Sequence, residues 1–140
     1  MGISIHFKGK LESEQQYHKL RDYIIEYAGP HDWKLIENNR KGKAGLILNV
    51  DNLCEPIFLE FDKDWQCGDF VQTQFAGVKC HIEIIEFFRE IQNYFVKLEL
   101  FDEGEYWDTN DRLVLEKQIT SVSWMIIGYL IEKPYFKSAH

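Results

Sequence analysis

Residues Ile3, Ile5 and Phe7 alternate with Ser4, His6 and Lys8 ahead of Gly9, a period of two that predicts an opening strand with one buried face. Ser13 and Gln16 form a capping box, and Tyr17, Leu20, Ile24 and Tyr27 then recur at helical spacing until Gly29 and Pro30. That combination predicts an amphipathic helix with a defined start and stop. Three short strand patterns follow at Trp33 to Glu37, Leu46 to Val50 and Ile57 to Phe61, separated by polar turns over 38–43 and 51–56. Strands joined this closely pair antiparallel. After a turn at Asp62, Lys63 and Asp64, the run Phe70 to Phe75 predicts a fifth strand with Val71, Thr73 and Phe75 on one side.

From Val78 to Tyr94 the apolar residues Ile82, Ile84, Ile85, Phe87, Phe88 and Ile91 cover a wide arc, which predicts an enclosed core helix. Val96, Leu98 and Leu100 form a further strand, and Leu115, Ile119, Val122, Ile126 and Tyr129 predict a last helix to Ile131, ended by Pro134. The expected fold class is α+β, a mostly antiparallel sheet of about five to six strands with three helices packed on it. The whole chain, 1–140, is expected to be one domain. If the fifth and sixth strands are adjacent, the helix between them makes a parallel crossover. The end of QTQFAG and the start of DEGEYW then share one edge of the sheet.

Composition narrows the class of function. With 16 basic and 23 acidic residues the net charge is -7, which repels phosphate backbones and argues against nucleic-acid binding. Arg40 to Lys43 reads as a solvated turn. The opening MGISIHFKGKL lacks the pattern of a signal peptide or a myristoylation site, and the apolar run Ile119 to Ile131 is too short and interrupted to cross a bilayer. Cys54, Cys67 and Cys80 are odd in number and without a CxxC pair, so reduced thiols and a cytoplasmic location are expected. Cys80 beside His81 has a metal-ligand reading, outweighed by that of a small buried thiol.

The chemistry concentrates at the two strand-to-helix junctions. The first offers Gln72, Gln74, Lys79 and His81; the second offers Asp102, Glu103, Glu105, Tyr106, Trp107 and Asp108 within FDEGEYWDTND. Amides that donate and accept, an imidazole, and carboxylates able to hold a cation or act as acid and base would make a composite site. Against this, Asp108 or Thr109 fits the N-cap of the last helix, and Tyr106 and Trp107 can pack under the loop. His81 can be a satisfied core histidine, and His6 an exposed strand histidine. Neither FDEGEYWDTND nor the turn with Asp62, Asp64 and Asp69 matches the calcium loop, and no GxSxG, HExxH or Gly-rich phosphate loop occurs. No catalytic residue, metal ligand or cofactor is assigned.

GISIHFKGKL, FDKD, QTQFAG followed by His81, and DEGEYWDTND together resemble a family of uncharacterised small bacterial proteins. Its members open with a GISIH-type strand, place QTQFA before the core helix and carry an acidic DEGxYWxT segment before the last helix. The resemblance implies an α+β bacterial domain and points to the same two junctions. It supplies no activity.

Two functions follow. The favoured one is a cytosolic binding or regulatory protein, of immunity type for example, that presents its acidic aromatic loop to a basic protein partner. The alternative is a small hydrolase or ligand-binding enzyme using His81 with Asp102, Glu103 or Glu105, with or without a divalent ion. An aromatic-rich domain of this size also leaves homodimerisation open.

Overall fold

Strand β1 (Ser4–Lys10) lies at the centre of a three-stranded antiparallel sheet between β5 (Gln66–Gln72) and β6 (Lys97–Asp102) in a computed structural model that describes residues 3–39, 42–123 and 125. The other strands, β2 (Lys34–Asn38), β3 (Ala44–Asn49) and β4 (Ile57–Phe61), form a second antiparallel sheet in sequence order. The helices are α1 (Glu14–Ala28), α2 (Gly77–Ile91), the single-turn α3 (Tyr106–Thr109) and α4, helical over 112–123. A 3-10 turn, Gln92–Tyr94, follows α2.

The α+β class is as expected, but the sheet is divided. A single sheet would need β5 to pair with β4. The chain does turn back over 62–65, where Trp65 takes a positive φ of 59° and the Asp62 N–H bonds the Gln66 carbonyl at 2.9 Å, but beyond that bond β4 and β5 belong to different sheets. Asp62 fixes that reversal by accepting from the backbone N–H groups of Asp64 and Gln66 at 2.9 and 3.0 Å. Strand β5 leaves the turn paired with β1, Lys10 opposite Gln66 and Ser4 opposite Gln72.

The fifth strand also starts and ends earlier than its pattern predicts. The alternation runs on through Thr73 and Phe75, but the N–H groups of Ala76 and Gly77 both bond back to the Thr73 carbonyl and curl the chain. Phe75 is left on the surface. Strands β5 and β6 are not neighbours, because β1 lies between them. Both run antiparallel to β1, so they are parallel to each other across it, and Gln72 and Asp102 still reach the same edge.

A continuous apolar core joins the layers. Ile5, Phe7 and Val71 from the first sheet pack with Leu46, Leu48, Ile57, Leu59 and Phe61 from the second and with Ile84, Ile85, Phe87, Phe88 and Ile91 of α2. Phe7 meets Phe88 at 5.0 Å between ring centroids, and Trp33, just ahead of β2, meets Phe87 at 5.2 Å. Helix α1 starts at its predicted cap, where Ser13 Oγ accepts from Gln16 N at 3.3 Å. The Gln16 amide donates outward to the Tyr94 carbonyl at 3.0 Å, tying α1 to the end of the 3-10 turn. The predicted end of the last helix, Ile126 to Pro134, lies outside the described residues. Among those residues no helix is long and apolar enough to cross a membrane.

Candidate functional site

The two junctions meet. His81 enters from the second turn of α2 and Asp102 from the last position of β6, and His81 Nε2 lies 2.8 Å from Asp102 Oδ1. On the other side of the ring, Nδ1 lies 2.6 Å from the hydroxyl of Thr73. The three residues are 0%, 1% and 0% exposed in the order His81, Asp102, Thr73.

Asp102 is saturated with donors. Its Oδ1 also accepts from Gly104 N at 2.8 Å, and Oδ2 accepts from Tyr106 N and Trp107 N at 2.8 and 2.9 Å. Burial pushes the Asp102 carboxyl up, but the His81 hydrogen bond, its charge and the N–H groups of Trp107 and Gly104 outweigh that and hold it below its ordinary value. A carboxylate held by several backbone N–H groups stays ionised even in the core. With Asp102 ionised, Nε2 carries a proton and donates to it, while the Thr73 hydroxyl pairs with Nδ1 and also lies 3.5 Å from the Ile3 carbonyl.

Gly104 closes the arrangement. A Cβ there would stand 2.5 Å from Leu115 Cδ1 and 2.9 Å from His81 Nε2, so the backbone of the loop is pressed directly onto the imidazole. Hydroxyl, imidazole and carboxylate in series are the parts of a nucleophile, its base and an orienting group. Here the hydroxyl is sealed from solvent and every lone pair of the carboxylate is engaged, so the series works as a clasp that fixes the edge where β5, β6 and α2 meet.

The other predicted residues take separate places. Gln74 is buried: its Oε1 accepts from Ile3 N at 3.3 Å, and its Nε2 donates to the Ile119 carbonyl at 3.1 Å and to Ser123 Oγ at 2.7 Å. It fastens α4 to the edge of β1. Gln72 stands opposite Ser4 at the end of β5, and its backbone carbonyl accepts from Cys54 Sγ at 3.3 Å. Glu103 continues the β1–β6 ladder, with its N–H on the Ser4 carbonyl and its Oε1 accepting from Ser4 N at 2.8 Å. Glu105, in a left-handed conformation with φ of 61°, bonds the Gln118 amide. Lys79 is exposed on α2.

Tyr106 and Trp107 are half-buried against the core. Arg89 of α2 donates to both their carbonyls at 3.2 Å and lies 5.0 Å above the indole centroid, an arrangement that combines carbonyl capping with a cation–π contact. The cap of the last helix is Asp111, whose Oδ1 accepts from Leu113 N at 2.9 Å. This corrects the expectation of Asp108 or Thr109, which lie inside α3. Among the described residues no group of three or more His, Cys, Asp and Glu side chains is placed to hold a metal ion.

Three residues that complete the site were not singled out by the sequence. Thr73 sits between two glutamines that drew the attention, and only the strand alternation, which puts it on the opposite face from them, hinted at its inward direction. Gly104 and Arg89 gave no local signal, because their partners are 11 to 23 positions away in the chain, at Leu115, His81, Tyr106 and Trp107.

The outer face of the first sheet presents a different surface. His6 lies between Phe70 of β5 and Phe101 of β6, with ring centroids 5.5 and 5.8 Å away. Phe70 is 45% and Phe101 64% exposed. His6 is thus one member of a cross-strand aromatic row, with Lys8 and Glu99 in the next row along. In comparisons with known proteins, no family model matches this chain, and no curated protein or solved structure shows significant similarity to it.

Proposed function

We propose that this chain is a binding protein that engages a basic protein partner through the aromatic row Phe70–His6–Phe101 and the acidic loop over 103–111. The supporting observation is the exposure of Phe70 and Phe101 on either side of His6 on one face of the folded sheet. Phe101 leads directly into the loop, where Glu105, Asp108 and Asp111 are exposed. Aromatics ringed by charge combine area that can be buried with electrostatic steering. The net charge of -7 favours a partner of opposite sign. Tyr106 and Trp107 take a supporting role in this reading, since Arg89 and the core already hold them.

The enzymatic alternative, a hydrolase or ligand-binding enzyme built on His81 and Asp102, has the Thr73–His81–Asp102 series in its favour. It needs solvent access that none of the three side chains has. The deciding experiment is capture of partners by the immobilised chain at low and high salt, beside the Phe70→Ser/Phe101→Ser double variant. A partner with a basic surface, lost in the double variant and weakened by salt, supports the proposal. Equal capture by the double variant overturns it. Self-association abolished by the same variant would make a second copy of the chain the occupant.

A further inference from the structure

The outer strands of the two sheets are not equally covered. Strand β4 packs beside β5 next to the turn over 62–65, and α1 is tied to β2 by Arg21 Nε, 3.7 Å from Glu37 Oε1. Strand β6 differs: among the described residues it pairs with β1 alone. Its register shows which backbone groups are left over. The Glu103 N–H bonds the Ser4 carbonyl. Alternation along an antiparallel pair then turns the N–H and C=O groups of Phe101, Glu99 and Lys97 toward β1 and those of Leu98 and Leu100 outward. An open edge of this kind is a template for another strand.

We infer that this edge pairs with the same edge of a second copy of the chain, antiparallel, about a twofold axis at Leu98. The register is set by charge. Lys97 and Glu99 lie two positions apart on the exposed face of β6, 2.7 Å from each other. With Leu98 opposite Leu98 of the second copy, each Lys97 stands opposite a Glu99 in a non-hydrogen-bonded pair, where side chains come closest. Leu98 exchanges two backbone hydrogen bonds with its copy, and the exposed Val96 falls opposite Leu100. A twofold axis at Glu99 would instead oppose two like carboxylates. One at Leu100 would set Glu99 against Phe101 and leave Lys97 opposite Glu103, whose Oε1 already accepts from Ser4 N. Of the three, the Leu98 register alone makes the strand complementary to itself, as a twofold interface requires.

The pairing adds strands at the edge and covers neither face of the sheet. Phe70, His6 and Phe101 of both copies then line one side of the joined sheet, so the inference stands independently of partner binding through that row. One short strand buries little area, and the dimer is expected to be weak and concentration-dependent.

Sedimentation equilibrium of the full chain over a wide concentration range reads the association. The wild type should pass reversibly from monomer to dimer, and so should Phe70→Ser/Phe101→Ser. Lys97→Glu and Glu99→Lys should each stay monomeric, because each sets like charges against one another at both ends of the pairing. An equimolar mixture of these two variants should recover the dimer, since each supplies the charge that the other lacks, and that recovery also shows that both fold. A monomer at every concentration, a dimer indifferent to both single variants, or a mixture that stays monomeric would each overturn the inference. Loss of the dimer in Phe70→Ser/Phe101→Ser would overturn it as well, by placing the second copy on the aromatic face instead of the edge.

Discussion

His81 Nε2 and Asp102 Oδ1 stand 2.8 Å apart in a part of the core that neither side chain leaves. Breaking one half of a buried, hydrogen-bonded pair costs roughly 3–5 kcal/mol. Asp102→Asn places an N–H2 group where the carboxylate meets backbone donors at Gly104, Tyr106 and Trp107, and at least one donor must then face another. We predict a loss of stability in that range, read from urea unfolding, with faster amide exchange over 103–109. A variant as stable as the wild type would show that the clasp is dispensable.

The same carboxyl gives a pH dependence of defined sign. Its folded value lies below the ordinary one, so its stabilisation is present above the unfolded value of about 3.9 and is lost as pH falls through the folded value. The unfolded chain binds more protons in that window, and unfolding becomes easier with acid. Urea midpoints measured between about pH 5 and pH 2 should fall more steeply for the wild type than for Asp102→Asn. Parallel curves would remove Asp102 from the acid response.

Gln74 predicts a graded result. Gln74→Ala removes its bonds to Ile3 N, the Ile119 carbonyl and Ser123 Oγ, leaving buried groups unpaired at a cost of about 1–3 kcal/mol. Gln74→Glu is worse, since an acceptor replaces the Nε2 that faces the Ile119 carbonyl. Hydrogen exchange over 112–123 should rise in the order wild type, alanine, glutamate. Unchanged exchange in both variants would mean that α4 is held by other contacts.

At Gly104 the clash with Leu115 Cδ1 and the His81 ring sets the outcome. Gly104→Ala should destabilise by about 1–3 kcal/mol through overpacking. Gly104→Ala combined with Leu115→Ala relieves only the first contact, so a stability equal to that of Leu115→Ala alone would contradict the close approach to His81. Thermal unfolding of the three variants decides.

Cys67 offers a test of the core itself. Burial pushes its thiol up to about 12 against a lowering hydrogen bond from Gly9, and the thiolate is the reactive form. Alkylation by iodoacetamide at about pH 8 should therefore be slow at Cys67 in the folded chain and fast in urea. Rapid native alkylation would mean that β5 opens from β1 far more readily than its seven paired positions suggest.

The local pattern carried the secondary elements well. Ser13, Tyr17, Leu20 and Ile24 placed α1, and the alternation of Ile5 and Phe7 with His6 and Lys8 placed β1, because both signals come from residues within a few positions of each other. The antiparallel pairing of β2, β3 and β4 was legible from their short connections, but the partners of β1 were not. Nothing near Ser4 announces that its neighbours are Gln72 and Glu103, since such pairings are decided by packing across the core. The candidate site was legible as a meeting of two junctions, and His81 and Asp102 do touch. Its burial was not, because a histidine and a carboxylate have the same spelling in an open cleft and in a closed one. What separates the two is Gly104, and its effect depends on Leu115 and His81 coming from elsewhere.

The central position of β1 has a consequence for the order of assembly. Strands β2, β3 and β4 span residues 34–61 and pair only with sequence neighbours, whereas β1 meets its second partner only when residue 102 is in place. Nearby contacts close fast and distant ones slowly. The chain should therefore gain amide protection in β2, β3 and β4 first, and its earliest strand should be the last to be enclosed, joined from both sides as α2 swings β6 into place and the Asp102 clasp shuts.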